Sequence, residues 1–585
     1  MQNWQSLTLQ EQIAQMIMVR ASGHLFDCQI RYPAWEAKHQ QLKAWLTELN
    51  LGGVILLGGS SVELQARSQQ LQSWAKIPLF IAADIEEGIG QRFPGGTWFP
   101  PPMALGRIYD HDPNLAQQYA YQMGSITAKE AMAVGINWLL APVVDVNNNP
   151  DNPAINIRAF GDRPEVVAAL TTSFIQGAKT TAVLTTAKHF PGHGDTSSDS
   201  HLDLPFLAHS EARLAATELP PFEQAIAAGV DSVMTAHLLI SAWDQELPAT
   251  LSPKIVTEIL RQRLNFSGLV ITDALIMGGI TQYEPADVAV MAVEAGTDIL
   301  LMPDDPEVAI AAIYEAIQAG RIDQSRIHQS LERIWHGKQQ INQAPRLNTD
   351  LNSELSSDRA RTTVNSIVQK SLQHSETSIA IDQRSEHKGL ARMCPSFAGA
   401  FAPQSCDAKR LSLQSKALEH SFRDDDLNEV PRGVISDSQP GRNLIIVDDV
   451  LNATYLDLNA PAITIPQSHN YQRQLVDRNS LNCILADSRP TLLQLFIRGN
   501  PFRGNAGLTE KTKAIYQKLL TESKVMGIAI YGSPYVLDWF KAILEPEMPW
   551  VFSYGQMPQS QAIALQTLFA DSSQTSQART RNFGF

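Results

Sequence analysis

Residues 268–273, Gly-Leu-Val-Ile-Thr-Asp, form a short apolar run that ends on a carboxylate. A strand that is apolar on both faces is typical of a parallel sheet that helices cover on each side. Comparable runs occur at 53–57, 79–83, 137–144, 185–189, 232–236 and 298–302. Helical patterns such as 115–134 and 210–228 lie between them. These repeated strand–helix units predict an α/β fold, a (β/α)8 TIM-type barrel rather than a doubly wound sheet.

Polar side chains stand where these strands end. The set consists of Asp84, Asp145, Lys188, His189, His237 and Asp273. In a parallel α/β architecture the loops that follow the strands converge at one edge, and active sites lie there. The sequence therefore predicts a site at the carboxyl edge of the barrel.

A chain of 585 residues is too long for one ordinary domain. We predict a TIM-type barrel that carries the catalytic site over 1–345, a polar linker over 346–371 and a smaller α/β sandwich domain over 372–585. The stretch 383–441 is rich in Ser, Arg, Asp and Pro, and we interpret it as a surface excursion. The strand patterns that favour an α/β fold for the last part lie at 443–447, 491–497 and 525–531.

Bulk composition argues against two classes of protein. The net charge of −14 does not fit a nucleic-acid-binding surface, which needs clustered Lys and Arg. There is no run of about 18 apolar residues, so no membrane helix is predicted. The four cysteines, which include no CxxC pair, are Cys28, Cys394, Cys406 and Cys483. We expect free thiols, and a bridge between Cys394 and Cys406 is the alternative. Because no basic leader precedes an apolar core at the start, the sequence predicts a cytoplasmic protein.

The segment 188–201, KHFPGHGDTSSDSH, carries the densest cluster of ionisable groups, with three histidines, two aspartates and a lysine. Any one of these histidines alone fits a hydrogen-bonded structural residue. Lys188 and His189, however, end a strand, where a buried cation needs a ligand or a partner. A zinc or iron site is an alternative, but no spacing sets two histidines on one helix face. We therefore expect no metal ion here. No organic cofactor is expected either.

This segment resembles the signature of the β-N-acetylglucosaminidases of glycoside hydrolase family 3, the branch that trims cell-wall muropeptides. The resemblance implies that Lys188 and His189 hold hydroxyls of N-acetylglucosamine. It also implies that His201, oriented by Asp199, is the general acid/base. A carboxylate two residues from a histidine can accept its Nδ1–H and set its tautomer. The reference imidazole pKa of about 6.5 suits a group that donates and then accepts a proton near neutrality.

The same resemblance implies that Asp273, in the segment 271–279, is the nucleophile. Family members often carry a second Asp where this chain has Ala274. As nucleophile, Asp273 would form a covalent glycosyl-enzyme that water hydrolyses with net retention. The pattern alone leaves open that Asp273 caps a helix instead. His237 is either a neighbour of the pocket or a core histidine whose hydrogen bonds are satisfied.

Two further segments resemble loops of that family. In DIEEGIGQRF, residues 84–93, Asp84 and Arg92 match residues that grip sugar hydroxyls and line the site, and Glu87 stands where Gly is usual. The structural alternative is an N-capping Asp84 paired with Arg92. The Asn- and Pro-rich loop 141–164 matches a loop whose arginine, here Arg158, lies in the substrate pocket. Arg163 is expected to be structural.

The resemblance covers about residues 10–338 and is weaker in the second domain, which we expect to be structural or to help shape the site. It implies a retaining exo-β-N-acetylglucosaminidase that acts on a small carbohydrate, a muropeptide or a chitooligosaccharide. A monomer is expected, although the sequence does not determine the oligomeric state. No nucleic-acid or membrane partner is expected. The rivals are a phosphorylase, because a histidine acid/base tolerates anionic phosphate, a β-glucosidase, and a sugar-binding scaffold protein. A scaffold would be expected to lack Asp273, Asp199 or His201.

Overall fold

The computed structural model describes residues 3–30, 32–342, 351–379, 440–449, 453–477, 480–481, 487–499 and 508–570. Nearly all of the predicted excursion at 383–441 lies outside these residues, as do Cys394, Cys406 and Cys483. Cys28 is an exposed free thiol. Within the described ranges, none of the helices is long and apolar enough to cross a lipid bilayer.

Eight parallel strands in the described part of the chain form a closed barrel. They are β1 (Ile17–Ser22), β2 (Gly53–Leu57), β3 (Phe80–Ala83), β4 (Trp138–Leu139), β5 (Thr186–Phe190), β7 (Ser232–Thr235), β9 (Leu269–Thr272) and β10 (Leu300–Leu301). The two strands β6 (Phe206–Leu207) and β8 (Leu239–Ile240) pair with each other in a separate ribbon.

Strand pairing follows the chain order around the barrel, as β10-β1-β2-β3-β4 and β5-β7-β9. Three parallel bridges join these arcs, Trp138 to Leu184 and Val143 to Lys188 on one side and Ile271 to Ile299 on the other. The predicted (β/α)8 barrel is therefore confirmed. Because all strands run the same way, the loops that follow them meet at one end of the barrel.

Helices cover the outside of the barrel. They are α1 (Leu9–Ala14), α2 (His39–Ala44), α3 (Ser61–Trp74), α4 (Met103–Tyr109), α5 (Pro113–Ala133), α6 (Pro164–Ala178), α7 (Glu211–Thr217), α8 (Leu219–Ala227), α9 (Pro285–Ala295), α10 (Pro306–Gln318) and α11 (Gln324–Asn342). A wider helical segment, Lys254–Arg263, precedes β9. Local sequence explains several starts: Asp112 and Asp305 cap α5 and α10 through their side chains, each with a proline next.

Three predicted elements differ from the structure. The predicted strand 137–144 is a strand only at Trp138–Leu139, since Pro142 has no amide to donate to a ladder. The apolar patterns did not include β1, whose run is interrupted by Arg20. The predicted helix 210–228 is two helices, because Pro220 and Pro221 fit only the first turn of a new helix.

The second sheet has the order β11-β16-β15-β14-β12-β13, with only β11 antiparallel to its neighbour. Its strands are β11 (Gln373–His374), β12 (Gly441–Val447), β13 (Tyr471–Asp477), β14 (Thr491–Ile497), β15 (Val525–Gly532) and β16 (Trp550–Ser553). Its helices are α14 (Pro461–Ser468), α15 (Glu510–Glu522), α16 (Pro534–Lys541) and α17 (Pro558–Leu568). Apolar clusters place α14 and α17 on one face and α15 and α16 on the other. The predicted α/β sandwich domain is thus confirmed.

Two helices lie within the predicted linker, α12 (Leu351–Glu354) and α13 (Asp358–Ser371). Helix α13 packs against α4 and α5 of the barrel and against α17 of the second sheet. The predicted domain boundaries at 345/346 and 371/372 stay a prediction.

Candidate active site

Four charged side chains form a network at the carboxyl ends of β3, β4 and β5. Lys188 Nζ lies 2.7 Å from Asp84 Oδ1 and 2.7 Å from Glu86 Oε1. Arg158 forms a bidentate ion pair with Glu86, with Nε 2.9 Å from Oε2 and Nη2 2.8 Å from Oε1. Asp84 is 42% exposed, whereas Lys188 is 1% exposed. The network therefore presents Asp84 to the open side and keeps its cations below the surface.

The charges in this network stabilise one another. Burial alone raises the pKa of Glu86, but the Arg158 and Lys188 cations outweigh it and hold that pKa well below its usual value. Burial alone lowers the pKa of Lys188, yet Asp84 and Glu86 raise it overall. A buried ion is tolerated only when it is paired and hydrogen-bonded, and this condition is met here.

His189, at the end of β5, is fixed by Asp145. Its Nδ1 lies 2.7 Å from Asp145 Oδ2, and its backbone amide donates to Asp145 Oδ1 at 3.1 Å. Asp145 is fully buried and also accepts the amide of His193 at 2.7 Å. With Nδ1–H donated to Asp145, a neutral His189 presents its other ring nitrogen as an acceptor.

His193 is a structural residue of the loop after β5. Its Nδ1 lies 2.7 Å from Thr196 Oγ1 and its Nε2 lies 2.9 Å from Ser200 Oγ. Burial lowers the pKa of His193 to about 4, so the ring stays neutral at physiological pH. The side-chain amide of Asn152 donates to the carbonyl of His193 at 2.8 Å. This hydrogen bond connects the loop after β5 to the loop 141–164.

His201 and Asp199 form a hydrogen-bonded dyad on the same loop. His201 Nδ1 lies 2.7 Å from Asp199 Oδ1, and the His201 amide donates to the same oxygen at 3.0 Å. The Asp199 side chain is inaccessible to solvent, whereas that of His201 is 19% exposed. The buried carboxylate thus fixes the imidazole through Nδ1, and part of the ring stays accessible to solvent.

Asp273 follows β9 and does not begin a helix. The next helical turn is Gly278–Ile280, and α9 starts at Pro285. The helix-cap alternative for Asp273 is therefore wrong. Its Oδ1 accepts the amide of Ala274 at 2.8 Å.

The electrostatic surroundings of Asp273 favour its ionised form. Burial alone raises its pKa, but the fields of His189, His237 and His201 outweigh burial, and the pKa falls below its usual value. The three rings whose fields act on this carboxylate thus come from the end of β5, from the loop after β5 and from the loop after β7.

His237 is a core histidine with both ring nitrogens bonded. Its Nδ1 lies 2.9 Å from Thr250 Oγ1, and its Nε2 lies 3.1 Å from the carbonyl of Ala274. Burial lowers its pKa. The ring therefore has the satisfied hydrogen bonds of a core histidine and supports the turn that carries Asp273.

Arg92 and Arg163 lie apart from the buried network. Arg92 Nε donates to the main-chain carbonyl of Asp84 at 3.1 Å, not to its carboxylate, and no helix starts at Asp84. The N-cap alternative for Asp84 is therefore wrong. Arg92 is exposed and lines a cleft of about 670 Å³ between the barrel and the second domain, next to Trp98 and Tyr455. Arg163 makes a surface ion pair with Asp110 at 2.6 Å.

The second domain contacts two loops of the site. Arg498 Nη2, just after β14, lies 2.8 Å from Glu87 Oε1. The hydroxyl of Tyr535 lies 2.9 Å from the amide nitrogen of the Asn147 side chain. Glu87 also accepts the indole N–H of Trp98 at 2.9 Å.

Sequence reasoning missed Glu86, Asp145 as the partner of His189, and the whole contribution of the second domain. A signal for Glu86 existed, because a lysine at a buried strand end needs a carboxylate and the neighbouring strand-end loop carries three acids. No local signal existed for Arg498, which lies 411 residues from its partner Glu87. The roles predicted for Asp273, His201, Asp199, Asp84, Arg92, Arg158, Lys188 and His189 stay predictions.

Among the residues that the structure describes, no group of three or more His, Cys, Asp and Glu side chains is arranged to hold a metal ion. The buried carboxylates of the site are instead paired with Lys, Arg or His. The expectation that the chemistry needs no metal or cofactor stays a prediction.

Fold and site together define a two-domain (β/α)8-barrel protein with a charged pocket at the carboxyl edge of the barrel. Residues 8–336 match the model of the glycosyl hydrolase family 3 N-terminal domain. Residues 434–570 match that of the bacterial glycosyl hydrolase family 3 C-terminal domain. The chain belongs to glycosyl hydrolase family 3.

Individual relatives agree with this assignment. Beta-hexosaminidase A of Pseudoalteromonas piscicida is 34% identical over 336 residues, which are 52% of this chain and 56% of that protein. A beta-hexosaminidase of Alkalilimnicola ehrlichii is 36% identical over 45% of this chain and 76% of its own length. Among solved structures, a family 3 beta-N-acetylglucosaminidase from Paenibacillus sp. FPU-7 superposes with a TM-score of 0.72. It is 25% identical, and the match covers 96% of this chain and 97% of the other.

Proposed function

We propose that this protein is a retaining exo-β-N-acetylglucosaminidase in which Asp273 is the nucleophile and His201 the acid/base. The observation that supports this most directly is the pairing of a strand-end carboxylate with an Asp–His dyad whose field acts on it. The names of the two beta-hexosaminidase relatives support an enzyme that acts on N-acetylglucosaminides.

In the first step Asp273 attacks the anomeric carbon while the bond from that carbon to the leaving oxygen breaks. Protonated His201 transfers its Nε2 proton to the leaving oxygen, which departs as an alcohol. Asp199 accepts Nδ1–H, so Nε2 is the nitrogen that exchanges a proton with the substrate. The lowered pKa of Asp273 keeps its carboxylate ionised for the attack.

In the second step water attacks the same carbon and displaces Asp273. Neutral His201 takes the proton of that water, which returns the dyad to its starting state. Two displacements at one carbon give a product with the configuration of the substrate. The sum of the two steps consumes one water and releases N-acetylglucosamine and an alcohol.

The charged network would bind the sugar before the chemistry. Asp84 is the exposed carboxylate of the network and can accept two neighbouring hydroxyls, a strong contact because the acceptor is ionised. Lys188, Arg158 and His189 would donate or accept at the remaining polar atoms, and Arg92 would contact the part of the substrate nearest the cleft. Muropeptides and chitooligosaccharides are the proposed natural substrates, by resemblance.

The test is release of nitrophenol from p-nitrophenyl β-N-acetylglucosaminide and from the β-glucoside, with and without inorganic phosphate. We expect turnover of the N-acetylglucosaminide, no acceleration by phosphate, and loss of nearly all activity in Asp273→Ala. Asp203→Ala, an exposed carboxylate on the neighbouring loop, is the matched control and should stay active.

Three outcomes would replace the proposal. Activity on the glucoside alone would indicate a β-glucosidase, and a sugar 1-phosphate product would indicate a phosphorylase. Wild-type protein that binds N-acetylglucosamine without turnover would indicate a sugar-binding scaffold. NMR of the first-formed sugar checks the stereochemistry, since retention requires the β-anomer. The cytoplasmic location and the monomeric state stay predictions.

A further inference from the structure

The contact between Glu87 and Arg498 joins the two domains at the edge of the site. Glu87 is 1% exposed and Arg498 is 21% exposed, so this is a buried ion pair rather than a surface one. The guanidinium reaches both carboxylate oxygens, at 2.8 Å and 3.5 Å. Removing one partner of such a pair leaves an unpaired charge in the interior, which is far more costly than removing both.

Glu87 is also the next residue after Glu86 and sits in the middle of the loop 84–93. The main chain at Glu87 and Gly88 is held by close backbone contacts. The Phe99 amide donates to the Glu87 carbonyl at 2.8 Å, and Gly88 has φ +85° with no room for a side chain beside the Thr97 carbonyl. Because Gly88 has no space to move toward Thr97, a displacement of Glu87 would be passed to Glu86, the residue on its other side.

The second domain touches the loop 141–164 as well. The Tyr535 hydroxyl bonds to the side chain of Asn147, and Gly499 lies so close to Asn156 that a Cβ there would be 2.8 Å from the Asn156 Cβ. Asn147 in turn accepts the amide of Asn156 at 2.8 Å, two residues before Arg158. Both partners of the Glu86–Arg158 pair are thus carried by loops that the second domain contacts.

We propose that Arg498 is a positioning residue through which the second domain holds Glu86, and hence Asp84 and Lys188, in the arrangement that binds the sugar. Arg498 acts through Glu87 and does not touch the substrate itself. The inference rests on the proposed function in one respect, that this network contacts N-acetylglucosamine. It assigns a role in substrate affinity to a domain that contributes neither the nucleophile nor the acid/base.

The test uses Arg498→Met in the full chain, measured by KM and kcat on p-nitrophenyl β-N-acetylglucosaminide and by calorimetric binding of free N-acetylglucosamine. A displaced binding network weakens the binding of the ground state and of the transition state equally. KM and the Kd for the product should therefore rise about tenfold, while kcat changes less than about threefold. The double variant Glu87→Gln with Arg498→Met removes both charges and should recover most of the affinity.

Arg489→Met is the matched control, since Arg489 pairs with Asp487 inside the second domain at 2.7 Å and should leave KM unchanged. Tyr535→Phe removes the hydroxyl that accepts from the Asn147 side chain at 2.9 Å and donates to the Asn147 carbonyl at 3.3 Å. It should raise KM two- to threefold, a smaller change that is measurable even where Arg498→Met does not fold. A folded Arg498→Met with wild-type KM and Kd overturns the inference, as does a double variant no better than the single one.

Failure of the proposed function is distinguishable from failure of this inference. Wild type that binds N-acetylglucosamine but does not turn the glycoside over refutes the enzyme, while a weaker Kd in Arg498→Met still supports the positioning role. Wild type that does not bind the sugar overturns both.

Discussion

The backbone amide of Gly278 donates a hydrogen bond of 3.1 Å to the carbonyl oxygen of His201. The neighbouring amide of Gly279 donates to the carbonyl of Ser200 at 3.0 Å. The turn after Asp273 is therefore fastened directly to the loop that carries the dyad. The separation between the two proposed catalytic groups is fixed by main-chain contacts rather than by side chains alone.

Gly278→Ala should disturb this separation. A Cβ at this position would lie 2.5 Å from the carbonyl of Leu202, so the dyad loop must move away. Small displacements of reacting groups are costly, and we expect kcat on p-nitrophenyl β-N-acetylglucosaminide to fall about 10- to 100-fold. Gly161→Ala is the control, because its Cβ would meet nothing nearer than 3.4 Å. Unchanged kcat in Gly278→Ala would show that the contact does not set the geometry.

Asp199→Asn tests the orientation of His201. An Asn side chain is neutral, so it cannot offer Nδ1–H the negatively charged acceptor that Asp199 provides. The imidazole then loses its preferred tautomer and the support for its protonated form. We expect kcat to fall by a factor of about 10² to 10⁴. The loss should be larger for a disaccharide than for the nitrophenyl glycoside, whose leaving group needs less protonation. Equal losses on both substrates would argue against an acid/base role.

Asp145→Asn tests the presentation of His189. The present carboxylate accepts Nδ1–H at 2.7 Å, which leaves the far ring nitrogen as an acceptor in the neutral ring. An Asn here can turn its NH2 group toward Nδ1 and reverse the tautomer, so the ring would offer the sugar a donor instead. KM should rise about tenfold with a smaller change in kcat. His189→Asn in the same background should add little further loss if both changes act through this ring.

Arg158→Met tests the pH dependence that the buried network implies. Glu86 has a folded pKa depressed below its usual 4.5, so its stabilising contribution is present above that value and is lost as the pH falls through the folded pKa. Without Arg158, burial is opposed by Lys188 alone and the pKa of Glu86 rises. The variant should lose about 3 kcal/mol of unfolding free energy at pH 7, and the difference from wild type should narrow as the pH falls toward the depressed pKa that Glu86 has in the wild type.

Denaturant unfolding at several pH values measures this difference. Arg163→Met is the control, because its ion pair with Asp110 is solvent-exposed and should contribute less than about 1 kcal/mol. A pH-independent loss in Arg158→Met would mean that packing, not charge, explains its contribution.

The barrel could be predicted from sequence because its strands are buried on both faces and read as uninterrupted apolar runs. The prediction failed where a polar or imino residue breaks the run, at Arg20 in β1 and at Pro142 after β4. Interrupted strands of this kind are held by their neighbours in the barrel, and that information is absent from any local window.

The site could be predicted in part for a similar reason. Asp199 and His201 are two residues apart, so their contact follows from local chain geometry. The position of Lys188 at a buried strand end predicts a carboxylate partner, but it does not predict which carboxylate that is. The pair of Glu87 and Arg498 depends on how two domains dock, and no pattern within either segment predicts it.

The network of Asp84, Glu86, Lys188 and Arg158 contains two anions and two cations, so its formal charges cancel. The wall that would meet the sugar is therefore electroneutral, although the whole molecule carries −14. An uncharged ligand can bind to such a wall without taking up or releasing counterions. The short contacts of a buried network are also screened little by dissolved salt. The affinity of the protein for a neutral sugar should then be nearly the same at low and at high salt concentration.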